Sequence, residues 1–319
     1  MIMISTPPSY RKERNGMNTA GAKPAPRGGG KIRRFLVPYS YLCPALILML
    51  VLMVVPMGLV IAYSFMDNVI TNPSPEFVGI ENYVTVLTDS TFQVALLHTL
   101  IYAGSTVACS LVLALCFALM LNSQQFHPFV RGFFRVIYTL PWMFTITIIA
   151  LIWRLLLDPL GVVNFALDYL GLSSHREWFS SSSTALGSLV FANVWGTTPF
   201  FMISLLAGLQ SIPTDMYEAA MLDGANGRQQ LMYITIPQLT PVISSVCTLG
   251  FISGTQVYAL IWMITGGGPS NSTEVLGTYT YKLAFNSYKF SLASTSAVVV
   301  LLISAVIIIT YVSKQKVGN

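Results

Sequence analysis

The sequence predicts an all-α integral membrane protein with six transmembrane helices. Charge is scarce: hydrophobic residues make up 54% of the 319 positions and charged residues 9%, with a mean hydropathy of +0.66. A soluble chain carries about 25% charged residues, so this one lacks the polar surface to close a water-soluble fold of its size. The apolar residues are also collected into six runs, roughly 42–64, 94–121, 136–157, 185–209, 242–264 and 291–313. Each is as long as the ~20 residues that a spanning helix requires. The basic residues, finally, are sorted between the loops in an alternating way.

Ahead of the first run, residues 1–34 hold eight of the 17 basic residues: Arg11, Lys12, Arg14, Lys23, Arg27, Lys31, Arg33 and Arg34. The Pro/Gly-rich stretch 20–30 has no hydrophobic period and reads as a flexible tail, leaving 35–319 as the transmembrane domain. The tail and the run after it are too long for a cleaved signal peptide. With the tail inside, Arg131, Arg135, Arg228, Lys314 and Lys316 fall on the same side, which makes 13 basic residues there against four (Arg154, Arg176, Lys282, Lys289) outside. That asymmetry obeys the positive-inside rule and places both termini in the cytoplasm. It also accounts for the net charge of +5 as a topology signal rather than a nucleic-acid footprint.

The outer loop 67–93 agrees, with Asp67, Glu76, Glu81 and Asp89 and no basic residue. The third run is followed by a longer outer segment, 158–184, in which 162–170 is expected to be a short interfacial helix before the serines 180–183. Tyr138, Trp142, Trp153 and Trp178 suit interface anchors as well as binding roles. The fourth run is interrupted by Asn193, Trp195, Gly196, Thr197, Thr198 and Pro199, and polar groups at that depth face protein or a cavity. Cys43, Cys109, Cys116 and Cys247 lie in apolar runs without CxxC spacing, and His98, His127 and His175 have no ligand spacing. Neither set suggests a metal or a disulfide framework.

Between the fourth and fifth runs, residues 210–241 form the most informative segment. Thr214 or Asp215 can cap a helix after Pro213, with Glu218 completing a capping box, and Gly224 can end it through a left-handed turn. A second helical stretch from Arg228 to about Thr235 is expected to stop before Pro237. A short cytoplasmic helix with Met221 and Leu222 beside Glu218 and Asp223 suits docking in a partner's groove, or equally a solvated loop.

The ordered residues Glu218-Ala219-Ala220, Asp223-Gly224-Ala225, Ile234 and Pro237, with Pro241 in line, resemble the EAA loop of permease subunits in bacterial binding-protein-dependent ABC importers. Leu231 departs from the usual Phe but stays apolar. Further segments are similar to the sugar branch of that family, which includes the maltose and glycerol-phosphate permeases: Phe77 to Tyr83, Leu140-Pro141-Trp142, Gly266 to Thr273, Tyr281 to Phe285 and, loosely, Tyr288 to Ser294. The resemblance covers about residues 35 to 315.

It implies the type I ABC importer permease fold and a chain in the bacterial inner membrane. The partners it implies are a second homologous permease, two ATPase subunits, an extracytoplasmic solute-binding protein and a sugar, besides membrane lipid; no nucleic acid is implied. Glu218, Ala219, Ala220, Asp223 and Gly224 would then form the coupling helix. ATP and Mg would be bound by the ATPases, because this sequence has no Walker-type phosphate loop and is expected to be neither an enzyme nor a cofactor protein.

For the solute path, Asn193, Thr197 and Phe200 are spaced to share one helical face. They match the Asn, Gly and Tyr that contact sugar in the maltose permease subunit, with Thr197 and Phe200 departing. Ser253, Gln256, Tyr258 and Trp142 are further candidates. Every one of these side chains also suits helix–helix bonding or packing. A membrane-embedded enzyme or a channel would need charged groups inside the spans, which are lacking; a proton-coupled sugar carrier is the competing reading.

Overall fold

A computed structural model of the chain describes residues 41–123, 127–172 and 176–317, with side chains to Ser313. The expected tail, 1–34, lies outside the described residues, as does His175. The chain divides into two units, Met1–Pro56 and Met57–Asn319. The first contributes residues 41–56, a helix that includes a π turn at Leu50–Val54. It continues into the second unit as one span, α1 (Tyr41–Tyr63).

In the second unit α2 (Glu81–Thr88) and α3 (Ser90–Asn122) follow, then α4 (Pro128–Met143), α5 (Ile146–Leu156) and α6 (Val162–Tyr169). Next come α7 (Ala185–Gln210), α8 (Thr214–Leu222), α9 (Gly227–Thr255), α10 (Ala259–Ile264), α11 (Leu276–Tyr281) and α12 (Phe290–Val317). Among the described residues no strand forms beyond an isolated bridge between Met66 and Phe77. Among the described residues five helices are long and apolar enough to cross a membrane, and there are six if the bent pair α4–α5 is counted as one span.

The third span departs from the single straight helix expected over 136–157: α4 and α5 meet at 101°. Phe144 and Thr145 are both extended, so the helical ladder cannot cross the junction. The fifth span departs in the other direction. The helix does not stop before Pro237. A π turn at Leu231–Thr235 leads directly into Ile236–Thr255, with Pro237 at the start of the new register, where its missing N–H matters least. The predicted caps of α8 are also corrected. Its N-cap is Pro213, no side chain caps it, and Thr214 and Asp215 lie inside the first turn.

Packing rests on small side chains. Ala103, Ala114 and Ala118 of α3 and Ala185 and Ala192 of α7 have no exposed surface, which lets the two backbones approach as membrane helices do. Phe201, Met202, Leu205, Leu206 and Leu209 of α7 then join Ala114, Ala118 and Leu121 of α3 and Leu239 and Val246 of α9 in the largest buried cluster. On α9, a Cβ at Gly254 would lie 2.8 Å from the Ala103 Cβ and 2.9 Å from its Cα, so only glycine fits there.

At the end of the bundle carrying α2 and α11, polar side chains close the loops. Asn82 donates to the carbonyls of Ser64 (3.0 Å) and Met66 (2.9 Å), which explains its place in the 77–83 segment. The Thr99 hydroxyl accepts from the Leu276 N–H at 2.9 Å. Tyr279 donates to Asp89 (2.7 Å), and burial, followed by that carboxylate, raises its phenol pKa.

Gly254→Leu is therefore expected to lower thermal stability in detergent, on the order of the 1–3 kcal/mol typical of overpacking, whereas Gly104→Ala, with nothing within 4 Å of the new Cβ, is expected to leave it unchanged.

Candidate functional site

Two regions hold the sequence-derived candidates. In the first, Asn193, Thr197 and Phe200 do share a partly exposed face of α7. The polar members are engaged with α3: the Thr197 hydroxyl lies 3.1 Å from that of Ser110 and donates to the Asn193 carbonyl at 2.8 Å, and the Asn193 amide reaches Thr106 at 3.5 Å. Thr106 and Ser110 were not singled out by the sequence reading. They stand in an unbroken apolar helix, and only the tertiary pairing marks them. Phe200 packs against Trp142 of α4, with ring centroids 6.1 Å apart, and Trp142 is itself exposed.

In the second region the fifth span breaks. α9 ends at Thr255, the backbone of Gln256 and Tyr258 leaves helical geometry, and α10 begins at Ala259. Ser253 and Gln256 are exposed at this break. The break is gripped by α11: a Cβ at Gly277 would lie 2.3 Å from the Val257 carbonyl, so glycine lets α11 approach the bare backbone. Tyr258 stacks on Trp262 (5.8 Å) and Tyr281 (4.9 Å), and Tyr281 continues to Phe285 (4.9 Å). The result is a tier of partly exposed rings beside an exposed amide. Trp262 and Tyr281 extend the aromatic set beyond Tyr258 alone.

The regions meet at one face of α3. Ala103, Thr106, Val107 and Ser110 are spaced to lie together; Thr106 and Ser110 take Asn193 and Thr197, while Ala103 and Val107 take Gly254 and Gly250 of α9. Chemically, the exposed Ser253, Gln256 and rings offer neutral hydrogen bonding and aromatic surface, suited to polyhydroxylated solutes and without charge.

The glycine-rich segment after α10 has a different use. Gly266 and Gly267 take φ of +62° and +91°, and the loop wraps Glu274, which is fully buried and paired with Lys282. A Cβ at Gly267 would collide with that carboxylate, which explains the glycine run. This pair was missed because Glu274 reads as an ordinary loop acid.

The proposed coupling segment is a separate surface. On α8, Glu218, Ala219, Met221, Leu222 and Asp223 are exposed and Ala220 is half-buried. Gly224, at φ +82°, ends the helix as predicted: its N–H bonds the Met221 carbonyl (3.1 Å), and the Ala225 N–H bonds that of Ala220 (2.8 Å). Tyr217 ties α8 to the π turn of α9 through a 3.0 Å hydroxyl contact with Thr235.

The family model for the inner membrane component of binding-protein-dependent transport systems matches residues 110–317. The chain is 32% identical over 287 residues to a probable ABC transporter permease, YurN, of Bacillus subtilis, covering 89% of this chain and 97% of that protein. It is 35% identical over 259 residues to the trehalose/maltose transport system permease MalF of Thermococcus litoralis, covering 81% and 85%. Among solved structures, a chain of a bacterial alginate ABC transporter shares the fold with a TM-score of 0.77 at 24% identity, covering 88% of this chain and 94% of that one.

The bonds at Thr197 and the exposure of Gln256 separate their expected effects. Thr197→Val should lower thermal stability in detergent by about 0.6 kcal/mol, the mean for interhelical hydrogen bonds in a membrane protein, while Gln256→Ala should leave it unchanged.

Proposed function

The chain belongs to the family of inner membrane components of binding-protein-dependent transport systems, and we propose that within it this protein is one permease subunit of an ATP-driven sugar importer. The observation that carries the reading is α8. It is a short helix ended by a glycine turn and fixed to the bundle through Tyr217, with Leu222 90% exposed and Met221 57% exposed beside Glu218 and Asp223. An exposed apolar ledge flanked by carboxylates fits a groove on a cytoplasmic ATPase.

Both termini and α8 are then cytoplasmic, in keeping with the 13-to-4 distribution of basic residues. The remaining partners are a second, homologous permease, two ATPases that hold ATP and Mg, and an extracytoplasmic binding protein. ATP acts through the difference in its contacts between two states of the ATPase pair. Movement of α8 passes through Tyr217 to Thr235, at the π turn where α9 is most easily reset, and from there along α9 to the break at Gln256. The sugar class is supported by the neutral polar and aromatic groups at that break and by the trehalose/maltose permease among the relatives. Ser253, Gln256, Tyr258 and Trp142 are assigned to the solute path; Asn193, Thr197 and Phe200 shape its wall on α7.

Replacing Glu218 with Ala or Gly224 with Val is expected to abolish ATP-dependent sugar uptake in membrane vesicles while the protein stays in the membrane at its normal level. A non-glycine residue in the left-handed turn costs about 1–2 kcal/mol, enough to redirect the end of α8. Normal uptake by both variants would overturn the coupling role. Uptake driven by a proton gradient without ATP would favour a proton-coupled carrier instead.

A further inference from the structure

A cavity of about 610 Å³ lies between α3, α4 and α7, away from the exposed side of the break in span five. Its walls are apolar: Cys109, Leu113 and Phe117 on α3 face Val190, Val194 and Met202 on α7. Thr198, a polar residue on the wall, has its hydroxyl committed to the Val194 carbonyl at 2.6 Å. The wall is thus far more apolar than the exposed break in span five, although Tyr138 and Trp195 carry polar atoms.

The cavity is long and narrow. Its α7 wall runs from Gly187 to Met202, about 22 Å at 1.5 Å per residue, against a single hydrocarbon leaflet of about 15 Å. At one end it is lined by α4, where Tyr138 stacks on Phe117 with ring centroids 4.4 Å apart. Arg131 and Arg135 lie seven and three residues before Tyr138, on or beside the same face of α4. Neither forms an ion pair among the described residues, and no Asp or Glu occurs anywhere from Ser123 to Arg154. Two arginines without an acidic partner thus precede Tyr138 on the helix that lines one end of an apolar slot as long as an acyl chain.

We propose that this slot is a binding site for an anionic phospholipid, with one acyl chain between α3 and α7 and the phosphate held by Arg131 and Arg135. Arginine is suited to this because its planar fork bonds phosphate oxygens bidentately and its stem can extend toward the interface. The site does not depend on the identity of the transported solute.

The test uses the protein purified from membranes with its accompanying subunits. Phosphatidylglycerol and phosphatidylcholine retained per chain are quantified by mass spectrometry after exchange in mixed vesicles of the two. The wild type is expected to retain phosphatidylglycerol preferentially. In Arg131→Gln/Arg135→Gln that preference should fall about thirtyfold, as neutralising two basic residues at a membrane surface predicts. Gly187→Phe, at a position with no atom within 4 Å of a new Cβ, should reduce total retained lipid by filling the far end of the slot. Equal phosphatidylglycerol retention in all three proteins would overturn the proposal. A second readout uses a variant keeping Cys109 as its sole cysteine, treated in vesicles with a lipid-soluble maleimide. Labelling that slows as the phosphatidylglycerol content rises supports the site. A Cys109 that stays unlabelled at every lipid composition would mean that the second permease covers the slot, and would overturn it.

Discussion

In hydrocarbon a backbone N–H or C=O without a partner costs several kcal/mol, and the architecture of this chain follows from that constraint. A helix can be interrupted inside the bilayer only where other protein covers the bared groups. The α9–α10 break obeys it, because α11 presses the Cβ-less Gly277 onto the Val257 carbonyl. At the α4–α5 corner Phe144 stacks on Trp195 of α7, while residues 142–148 are exposed in this chain. Gly277 is thus a condition for irregular backbone at its depth, and that irregular backbone is where Gln256 and Ser253 are exposed.

The same constraint divides the polar side chains into two populations. Those bonded between helices (Asn193, Thr197, Thr106 and Ser110) hold α3 and α7 in register, and Thr99 does the same for α3 and α11. Ser253 and Gln256, left exposed, sit at a break. A reading of α7 that assigns every polar residue to substrate overlooks how much of that polarity is used in packing.

The spans were legible because hydropathy marks them: four of the six lie within four residues of their expected ends, while the third begins at Pro128 rather than 136 and α9 runs from Gly227 to Thr255 rather than from 242 to 264. The Gly224 turn was legible too, since a glycine after a helical run has a specific stereochemical meaning. What the sequence concealed were effects set by tertiary packing. Pro237 reads locally as a stop, yet the π turn before it absorbs the missing N–H. Phe144 and Thr145 carry no breaking signal of their own, so the corner emerges only when Trp195 and Gly196 are placed opposite. Glu274 gave no hint of burial, because its partner Lys282 lies eight residues away at the far end of α11. Among the site candidates, spacing correctly put Asn193, Thr197 and Phe200 on one face; it carried no information about Thr106 and Ser110, which meet them from another helix.

Leu222, 90% exposed next to Met221, has a consequence for the isolated chain. With nothing in the chain folded over them, these two side chains form an apolar spot at which separate copies can adhere, so the end of α8 is a solubility liability wherever it is left uncovered.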